Sequence, residues 1–591
     1  MKKVLLSIFI VFSFSINLFA VADDSVMKSD ATQKKYERKA VMGLADIGFS
    51  QDHINIPLQL CSENRCIPWT FTVNYPLSYN EKLKAAQTFY DWTISNRFDK
   101  IIMKDGSASM VTKHGEMNVE TGDYIPYFKS GTSSLGDFQN RLESYLNGSV
   151  KPSLGKLLDA TVEQRYKELP ETEQETFMVT KAKELGVSAE FIRTLVNSSY
   201  VFAAHVERIN GMGRVTKITK NVMGVPVVSF DVEFAVPVSV TFLIYHYDFE
   251  KKSFSLYKKL RASSGLTTSS KTFLLIPTHQ QVMSFFLDTF QTSIKAASIN
   301  ANYQLKKDDN FALFMPVQAV KGSKIETDFG VMEDIRIDHP FTIMESVDGK
   351  MEKKGYVKAR KVSKNCSDDY NPPTVMQVTN GAAEEADLLR EYPWTGLFFN
   401  LGIGSNSTQF SYSSGGTGGS MFSAIGFHLG ASINLGYSTN TSWLSEFYMD
   451  LFYQMSFDLG DSKNLGSPIW LGGGLGFSKR FYVGAGGFYI APALNLAYEY
   501  GTDAEVQQFI VNPQAHFGFS LNPSVDIVLK AGWNLGFVVK SQFDNVDTFA
   551  HGLTATLDFN FHLPVVGAMA KLYSKPSNVC AVKKKEEKKA E

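Results

Sequence analysis

The feature that most constrains this chain is a period of two in residues 396–563. Apolar residues dominate alternate positions from Met421 onward, and the residues between them are small or polar. Such alternation is typical of β-strands with two chemically distinct faces. The same parity recurs in further segments, so the stretch predicts eight strands. The segments are 397–404, 421–437, 443–457, 469–477, 488–500, 509–521, 525–537 and 553–561.

Eight such strands could form a soluble barrel with apolar side chains inside or a membrane barrel with apolar side chains outside. The apolar face carries almost no charge over about ten residues per strand, which is the length of a tilted membrane-spanning strand. The opposite face is rich in glycine, which suits a narrow interior. These observations favour the membrane barrel. Aromatic residues near the strand ends predict an interfacial girdle made of Tyr437, Trp443, Phe457, Tyr498, Phe519, Phe537 and Phe561.

The links between the predicted strands alternate in length. Long polar links are predicted at 405–420, 460–467, 501–505 and 541–548, and short ones at 438–441 and 522–524. Outer-membrane barrels keep short turns in the periplasm. We therefore expect both chain ends in the periplasm of a Gram-negative bacterium.

Ionisable residues fall on the face predicted to line the lumen. Bare charges in a narrow interior are costly, so they should pair or stay hydrated. We predict a polar network that either plugs the barrel or opens as a narrow pore when pairs to Lys530 break. Its members are Glu446, Asp450, His516, Asp526, Lys530 and Asp558.

The chain start reads as a secretory signal, with Lys2 and Lys3 before an apolar run that ends at Ala20-Val21-Ala22. Export to an oxidising compartment favours disulfides among the four cysteines. Cys61 and Cys66 enclose four residues, which suggests a local bridge. Cys366 and Cys580 flank the barrel, which suggests a second bridge at its rim; two unpaired thiols remain the alternative.

The remaining chain predicts a multidomain protein in which an α+β periplasmic module precedes the barrel. The predicted parts are a signal peptide (1–22), a mixed helix-rich region (23–199), an α+β region ending in a small β-domain (200–366), a linker (367–392), the barrel (393–563) and a charged tail (564–591). Lys and Arg total 59 against 60 Asp and Glu, which gives no broad basic field for nucleic acid.

Residues 394–563 resemble the eight-stranded outer-membrane proteins, namely the membrane domain of outer membrane protein A, outer membrane protein X and the opacity-type barrels. In those families a final strand ending in an aromatic residue is recognised by the outer-membrane insertion machinery. Leu557, Phe559 and Phe561 alternate with polar residues in the same way. In this chain, however, the soluble module precedes the barrel and 28 residues follow Leu563, so the family's peptidoglycan-binding activity is not implied.

No catalytic, metal or cofactor motif stands out, and no enzyme activity is expected. We expect a structural protein whose barrel anchors the module in outer-membrane lipid beside envelope proteins or peptidoglycan. A narrow channel and a surface-binding protein acting through the 405–420 loop are the alternatives.

Overall fold

The computed structural model of the 591-residue chain describes residues 38–62, 65–67, 71–104, 107–112, 115–120, 126–152, 179, 199–222, 225–248, 251–347, 350–365, 372–385, 387–412, 420–458, 469–502, 506–540 and 546–575. Three predictions lie outside these residues. They are the signal peptide, most of the helix-rich region from residue 153 to 198, and the pair Cys366 and Cys580.

Residues 38–391 form an N-terminal module built largely of strands. The strands are β1 Ala40–Gly43, β2 Gly48–Phe49, β3 His53–Ser62, β4 Arg65–Cys66, β5 Phe71–Pro76, β6 Asp99–Lys104, β7 Ser107–Thr112, β8 Gly115–Glu120, β9 Ser199–Ile209, β10 Met212–Val222, β11 Val225–Ala235, β12 Val238–Asp248, β13 Ser253–Ser263, β14 Thr268–Phe273, β15 Phe314–Pro316, β16 Ala319–Lys321, β17 Lys324–Thr327, β18 Pro340–Val347, β19 Lys350–Lys361, β20 Thr374–Gly381 and β21 Leu388–Glu391.

Three helices complete the described module: α1 Tyr79–Thr93, α2 Leu135–Tyr145 and α3 His279–Leu305. Helix α1 begins at a capping box in which Ser78 and Glu81 bond each other's backbone N–H. Helix α3 begins at an equivalent box formed by Thr278 and Gln281. At 27 residues α3 is about 40 Å long. Within the described ranges, no helix is both long and apolar enough to cross a membrane.

Two sheets enclose the main core of the module. The first has the order β13-β12-β9-β1-β6-β7-β8 and the second β14-β11-β10-β3-β4, with β5 beside β3. Apolar faces of both sheets pack against α1 and α3 around Phe89, Phe202, Phe242 and Phe286, all fully buried. The first sheet joins strands from before and after residue 199, so the predicted domain boundary there is wrong.

The third sheet corrects the predicted linker. Its order is β15-β21-β18-β19-β20-β17-β16, and β20 and β21 both lie within residues 367–392. Met376, Val378 and Leu389 on these strands are buried in the core of this sheet. The Pro372-Pro373 pair and the Gly-Ala-Glu run suggested a linker, but the apolar residues between them belong to strands. The small β-domain therefore extends to residue 391.

The C-terminal sheet is a closed antiparallel barrel. Its strands are β22 Leu397–Tyr412, β23 Ser420–Asn434, β24 Phe447–Asp458, β25 Ile469–Lys479, β26 Phe481–Tyr482, β27 Phe488–Gly501, β28 Gln507–Asn522, β29 Val525–Lys540 and β30 Val546–Leu563. Pairing of β22 with β30 and of β25 with β27 closes eight long strands, and the two-residue β26 forms a small hairpin with β27.

The module and both barrel termini lie at the same end of the barrel, which we call the module end. Of the two short links predicted there, the one at 522–524 is confirmed and the one at 438–441 is wrong. Strand β23 ends at Asn434, where α4 Leu435–Thr439 begins, so residues 435–446 form a folded link. Residues 480–487 contain β26, and only residues 523–524 make a tight turn.

The chain after the barrel folds back onto the module. Residues Gly567–Leu572 form a 3-10 turn, and Val565, Ala570 and Tyr573 are buried beside Ala296 of α3 and Trp394. The Asn300 side chain donates to the Val565 carbonyl and accepts its N–H, both at 2.8 Å. The first part of the predicted charged tail is therefore packed structure; residues 576–591 lie outside the described chain.

Candidate functional site

The outer surface of the barrel is apolar on all eight long strands. Large apolar side chains there are roughly 40–60% exposed, and neighbouring positions on the same strand point inward. They include Leu401, Ile403, Ile425, Phe427, Leu451, Leu475, Ile490, Leu494, Phe509, Phe517, Leu529, Trp533, Leu553 and Leu557. Soluble monomers rarely expose a continuous apolar surface of this kind.

Six of the seven residues predicted to form an aromatic girdle are exposed or half-exposed. Five of them lie on barrel strands, and Trp443 lies on the 3-10 turn Ser442–Leu444 in the link before β24. Trp443, Phe519 and Phe561 lie near the module end, and Phe457, Tyr498 and Phe537 lie near the far end. Tyr437 is the exception and a correction. It lies on α4 and not on a strand, and it is 4% exposed because its ring packs on Trp394, with centroids 4.9 Å apart.

At mid-depth the lumen holds a buried ionic cluster. Lys530 Nζ on β29 lies 2.5 Å from Asp558 Oδ2 on β30. His428 Nδ1 on β23 reaches the same oxygen at 3.0 Å. Glycine at position 402 leaves room for the carboxylate, because a Cβ there would lie 1.9 Å from Asp558 Oδ1. His516 faces the same cluster and contacts Gln514 Oε1 at 2.9 Å.

Nearer the far end, Glu499 is held by neutral amides and not by a cation. Gln508 Nε2 donates to its carboxylate at 2.8 Å, and Gln454 donates to the other oxygen. Asn406 contacts the same group and also accepts from Asn534. These side chains fill the lumen, which is what an eight-stranded barrel of this width allows.

Toward the module end the lumen is capped by Arg480, which follows β25. Its guanidinium lies 2.6 Å from Asp526 Oδ2, and Ser520 Oγ donates to the other oxygen at 2.6 Å. The guanidinium also stacks on Tyr448 and Tyr489, at 4.0 and 4.6 Å from the ring centroids. Asp450 lies one layer above, where its carboxylate accepts from Asn400 at 3.4 Å.

Glu446 lies below β24 and faces the module instead of the lumen. Lys358 Nζ and Arg360 Nη1, both on β19, contact Glu446 Oε1 at 3.0 and 2.6 Å. Arg360 also bonds Asp338 at 2.6 Å, and Asp338 accepts the backbone N–H of Glu446 at 2.5 Å. We call Lys358, Arg360, Asp338 and Glu446 the junction cluster. It joins the third sheet of the module to the barrel.

Electrostatics of the junction cluster follow from its burial. Desolvation alone would raise the pKa of the Glu446 carboxyl, but the charges of Lys358, Arg360 and Arg480 outweigh it and lower this pKa to about 2. Burial and the Glu446 charge raise the pKa of Asp338. Glu446 is therefore the firmly ionised member at neutral pH, and both cations depend on it.

Sequence reasoning did not find Arg480 or the module half of the junction cluster. The alternating pattern identifies which barrel residues face inward, but it carries no information about what docks beneath them. The one available signal was Glu446 itself, an acidic residue directly before a strand. Its backbone φ is 55°, so it adopts a turn conformation instead of continuing the strand pattern.

Of the predicted disulfides, Cys61 and Cys66 are bonded in the β3–β4 hairpin. In the described part of the chain, no group of three or more His, Cys, Asp or Glu side chains is arranged to hold a metal ion.

Comparison with known proteins adds little beyond this geometry. No protein-family model matches the chain, and no curated protein matches it. The crystal structure of Neisserial surface protein A is 14% identical over 29% of this chain and 98% of its own, with a TM-score of 0.21. OmpT, an outer membrane protein of Vibrio cholerae, is 8% identical over 62% and 99%, with a TM-score of 0.14. An anion-selective porin from Comamonas acidovorans is 10% identical over 57% and 90%, with a TM-score of 0.13.

Scores this low carry no argument about function. The strand pairings of this chain define a closed eight-stranded antiparallel barrel with a large module docked on one end. Its lumen is filled with paired polar groups and its outer surface is apolar.

Proposed function

We propose that this is an outer-membrane protein whose barrel spans the bilayer and fixes the N-terminal module to the periplasmic face, as a structural component of the envelope. The observation that carries the proposal is the exposed apolar surface on all eight strands. An aqueous barrel would place that surface inside. A bilayer covers it, and closure of the sheet leaves no unpaired backbone edge in lipid.

The orientation rests on the fill of the lumen. The described module spans residues 38–391, and the side chains of Lys530, Asp558, Glu499 and Arg480 occupy the barrel interior. A folded module cannot pass through such an interior, so it stays on the side from which the barrel inserts. For an exported protein that side is the periplasm. The alternation of Leu557 and Phe559 on β30 fits recognition by the insertion machinery.

A structural role is supported by how firmly the module is held. Trp394, directly before β22, is 1% exposed, and its indole N–H donates to the Pro523 carbonyl in the turn between β28 and β29 at 3.0 Å. Together with the junction cluster, this contact holds the module directly against the barrel rim. The barrel would present one fixed face of the module to envelope proteins or peptidoglycan. A module joined to the barrel by a flexible linker would not present one fixed face.

The first test is a gel of the outer-membrane fraction in which heated and unheated samples are compared, with and without reductant. We expect the unheated chain in that fraction to migrate faster than the boiled chain. A soluble protein with no mobility shift would contradict the proposal. Single-cysteine variants labelled in intact cells would test orientation: a cysteine at Val347 of the module should react only after the outer membrane is opened.

The channel alternative is tested separately in planar bilayers. A plugged lumen predicts no ion-selective conductance from the native protein and none from Lys530→Ala. Steady conductance that changes with Lys530→Ala would favour the pore. Because the barrel can anchor the module in either case, this experiment tests the plug and not the membrane location.

A further inference from the structure

A second buried site lies between the module and the barrel, on the side of Trp92. Trp92 of α1, Asn302 of α3, Arg336, Tyr437 and Tyr573 line a cavity of about 20 Å³. That volume holds roughly one water molecule or one ion of similar size. The cavity is separate from the junction cluster and from the lumen.

Two cations converge beside this cavity on the same indole ring. Lys295 Nζ lies 4.9 Å from the Trp92 ring centroid, and Arg336 Cζ lies 5.6 Å from it. Arg336 also lies 5.3 Å from the Tyr437 ring. Burial, helped by the charges of Arg336 and Lys575, lowers the pKa of Lys295 to about 8. Aromatic faces attract cations, but they do not neutralise two of them.

The nearby carboxylates are already engaged. Asp334 also lines the cavity, yet its ion-pair partner is Lys306 at 3.9 Å. Lys306 in turn lies 2.8 Å from Glu391, whose carboxylate is bound by Arg97 at 2.8 Å. These two acids and two bases balance each other. Arg336 therefore adds one buried positive charge at the cavity, and the half-buried Lys295, which does not line the cavity, adds a second one nearby.

Arg336 is the group that points to a ligand. It is 5% exposed, and its Nη1 atom has no hydrogen-bond partner among the described residues. A buried donor left unsatisfied costs about 1–3 kcal/mol, and more when it is charged. Among the described residues, Lys295 donates only to the Tyr573 carbonyl, a neutral acceptor, at 2.8 Å.

We propose that this cavity binds one small monovalent anion of about the size of chloride, held by Arg336 with Lys295 supplying a second charge. The cavity is too small for a phosphate or sulfate group. A bound anion would satisfy Nη1 and neutralise part of the excess charge, so it would strengthen the contact between α3, α4 and the chain after the barrel. The inference does not depend on the membrane location proposed above, because none of these residues lies on a barrel strand.

The test measures thermal unfolding of the full chain in detergent micelles as chloride replaces gluconate at constant ionic strength. Intrinsic fluorescence of the six tryptophans, of which Trp92 and Trp394 lie at this junction, reports the transition. We expect a saturable rise in the unfolding midpoint of roughly 3–8 °C at a hundredfold excess over Kd. Bromide should act similarly, and sulfate and phosphate should not.

Arg336→Met should abolish the chloride-dependent rise, and the matched variant Arg214→Met should retain it, because Arg214 lies exposed on β10. If Arg336→Met does not fold, Lys295→Met is tested in its place. We expect Lys295→Met to weaken the chloride-dependent rise in the unfolding midpoint. A bromide soak of crystals should give an anomalous peak beside Arg336. The proposal would be overturned if the midpoint did not respond to chloride, if the response did not saturate, or if sulfate gave an equal response. A full chloride response in both Arg336→Met and Lys295→Met would also overturn it.

Discussion

Two of the buried charge clusters in the described chain, the one in the lumen and the junction cluster, differ in where the partners come from. In the lumen, Lys530 and Asp558 lie on adjacent strands of one sheet, so strand register alone brings them together. In the junction cluster, Lys358 and Glu446 come from two separately folded parts. Lumen pairs therefore stabilise the barrel itself, whereas junction pairs hold the module on it. Variants can separate the two effects.

The largest expected effect is at the junction. Glu446→Gln leaves Lys358 and Arg360 buried with only Asp338 as an acidic partner, which should cost about 3–5 kcal/mol of docking stability. We expect the module transition, followed by tryptophan fluorescence during urea unfolding, to weaken while the gel shift of the barrel persists.

The matched control for Glu446→Gln is Glu326→Gln. Glu326 pairs with the exposed Lys321 on the surface of the third sheet, so the loss should stay below about 1 kcal/mol. If Glu446→Gln weakened the barrel and left the module transition unchanged, the division between the two regions would be wrong.

The next largest effect is on the outer surface of the barrel. Leu529 is 50% exposed and pairs with Leu557, between the aromatic residues at the two rims. Leu529→Arg should cost about 2–4 kcal/mol of barrel stability in lipid vesicles, because an Arg near the bilayer midplane is poorly solvated. This loss of barrel stability is measured from the urea concentration at which the unheated protein no longer migrates faster than the boiled protein.

The control for Leu529→Arg is an Arg substitution on the same outer surface but near the rim of the barrel. Phe561→Arg lies at the module-end rim, where an Arg can reach water, so the loss from the charge should fall to about 0–1 kcal/mol. Equal losses at both positions would mean that no bilayer covers this surface.

The barrel strands were largely predictable because the alternation of side chains along a strand depends only on the local sequence. Side chains alternate at every residue of a strand, so the outward and inward sets follow from counting. Lys530 and Asp558 face inward on adjacent strands, where Lys530 pairs with Thr556 and lies diagonal to Asp558. The alternating pattern does not predict side-chain positions where the backbone leaves the strand. Tyr437 keeps the right parity and character, but Asn434 caps α4, with its side chain accepting the N–H of Tyr437 at 2.7 Å, and the ring turns into the junction.

The module was less predictable because its sheets join distant parts of the chain. β1 pairs in parallel with both β6 and β9, which come from either side of the predicted boundary. The Arg97–Glu391 pair spans 294 residues. In helices α1 and α3 apolar residues recur at helical spacing, which is a local signal that a sequence carries. The charges that bind these parts together depend on docking geometry, which a single sequence does not contain.

A smaller effect is expected in the lumen. Lys530→Met leaves Asp558 buried, but His428 Nδ1 still contacts the Asp558 carboxylate at 3.0 Å, so the loss should be about 2–3 kcal/mol, below the usual range for a broken buried pair. The barrel should lose its mobility shift at lower urea while the module transition is unchanged. A weakened module transition in this variant would mean that lumen and junction charges act as one network.

The smallest effect concerns a third buried group, His339, which adjoins Glu391 at 3.2 Å within the module. Burial, with the Lys306 charge beside it, lowers the pKa of His339 from 6.5 to about 4. The unfolded chain therefore binds more protons than the folded chain between these values. Stability is complete above pH 6.5 and falls as pH drops through 4, by about 2 kcal/mol at pH 5.

His339→Gln should remove the part of this acid sensitivity that comes from His339 and leave the part that comes from His205 and His246, whose pKa values burial also lowers. His53→Gln, at an exposed position on β3, should retain all of it. The window also separates the module interior from the junction, because Glu446, with its pKa near 2, stays ionised at pH 5. Acid between pH 6.5 and 4.5 should thus loosen the module through His339 before Glu446 of the junction cluster loses its charge. If Glu446→Gln, and not His339→Gln, removed the sensitivity in that range, the junction would be the acid-sensitive region.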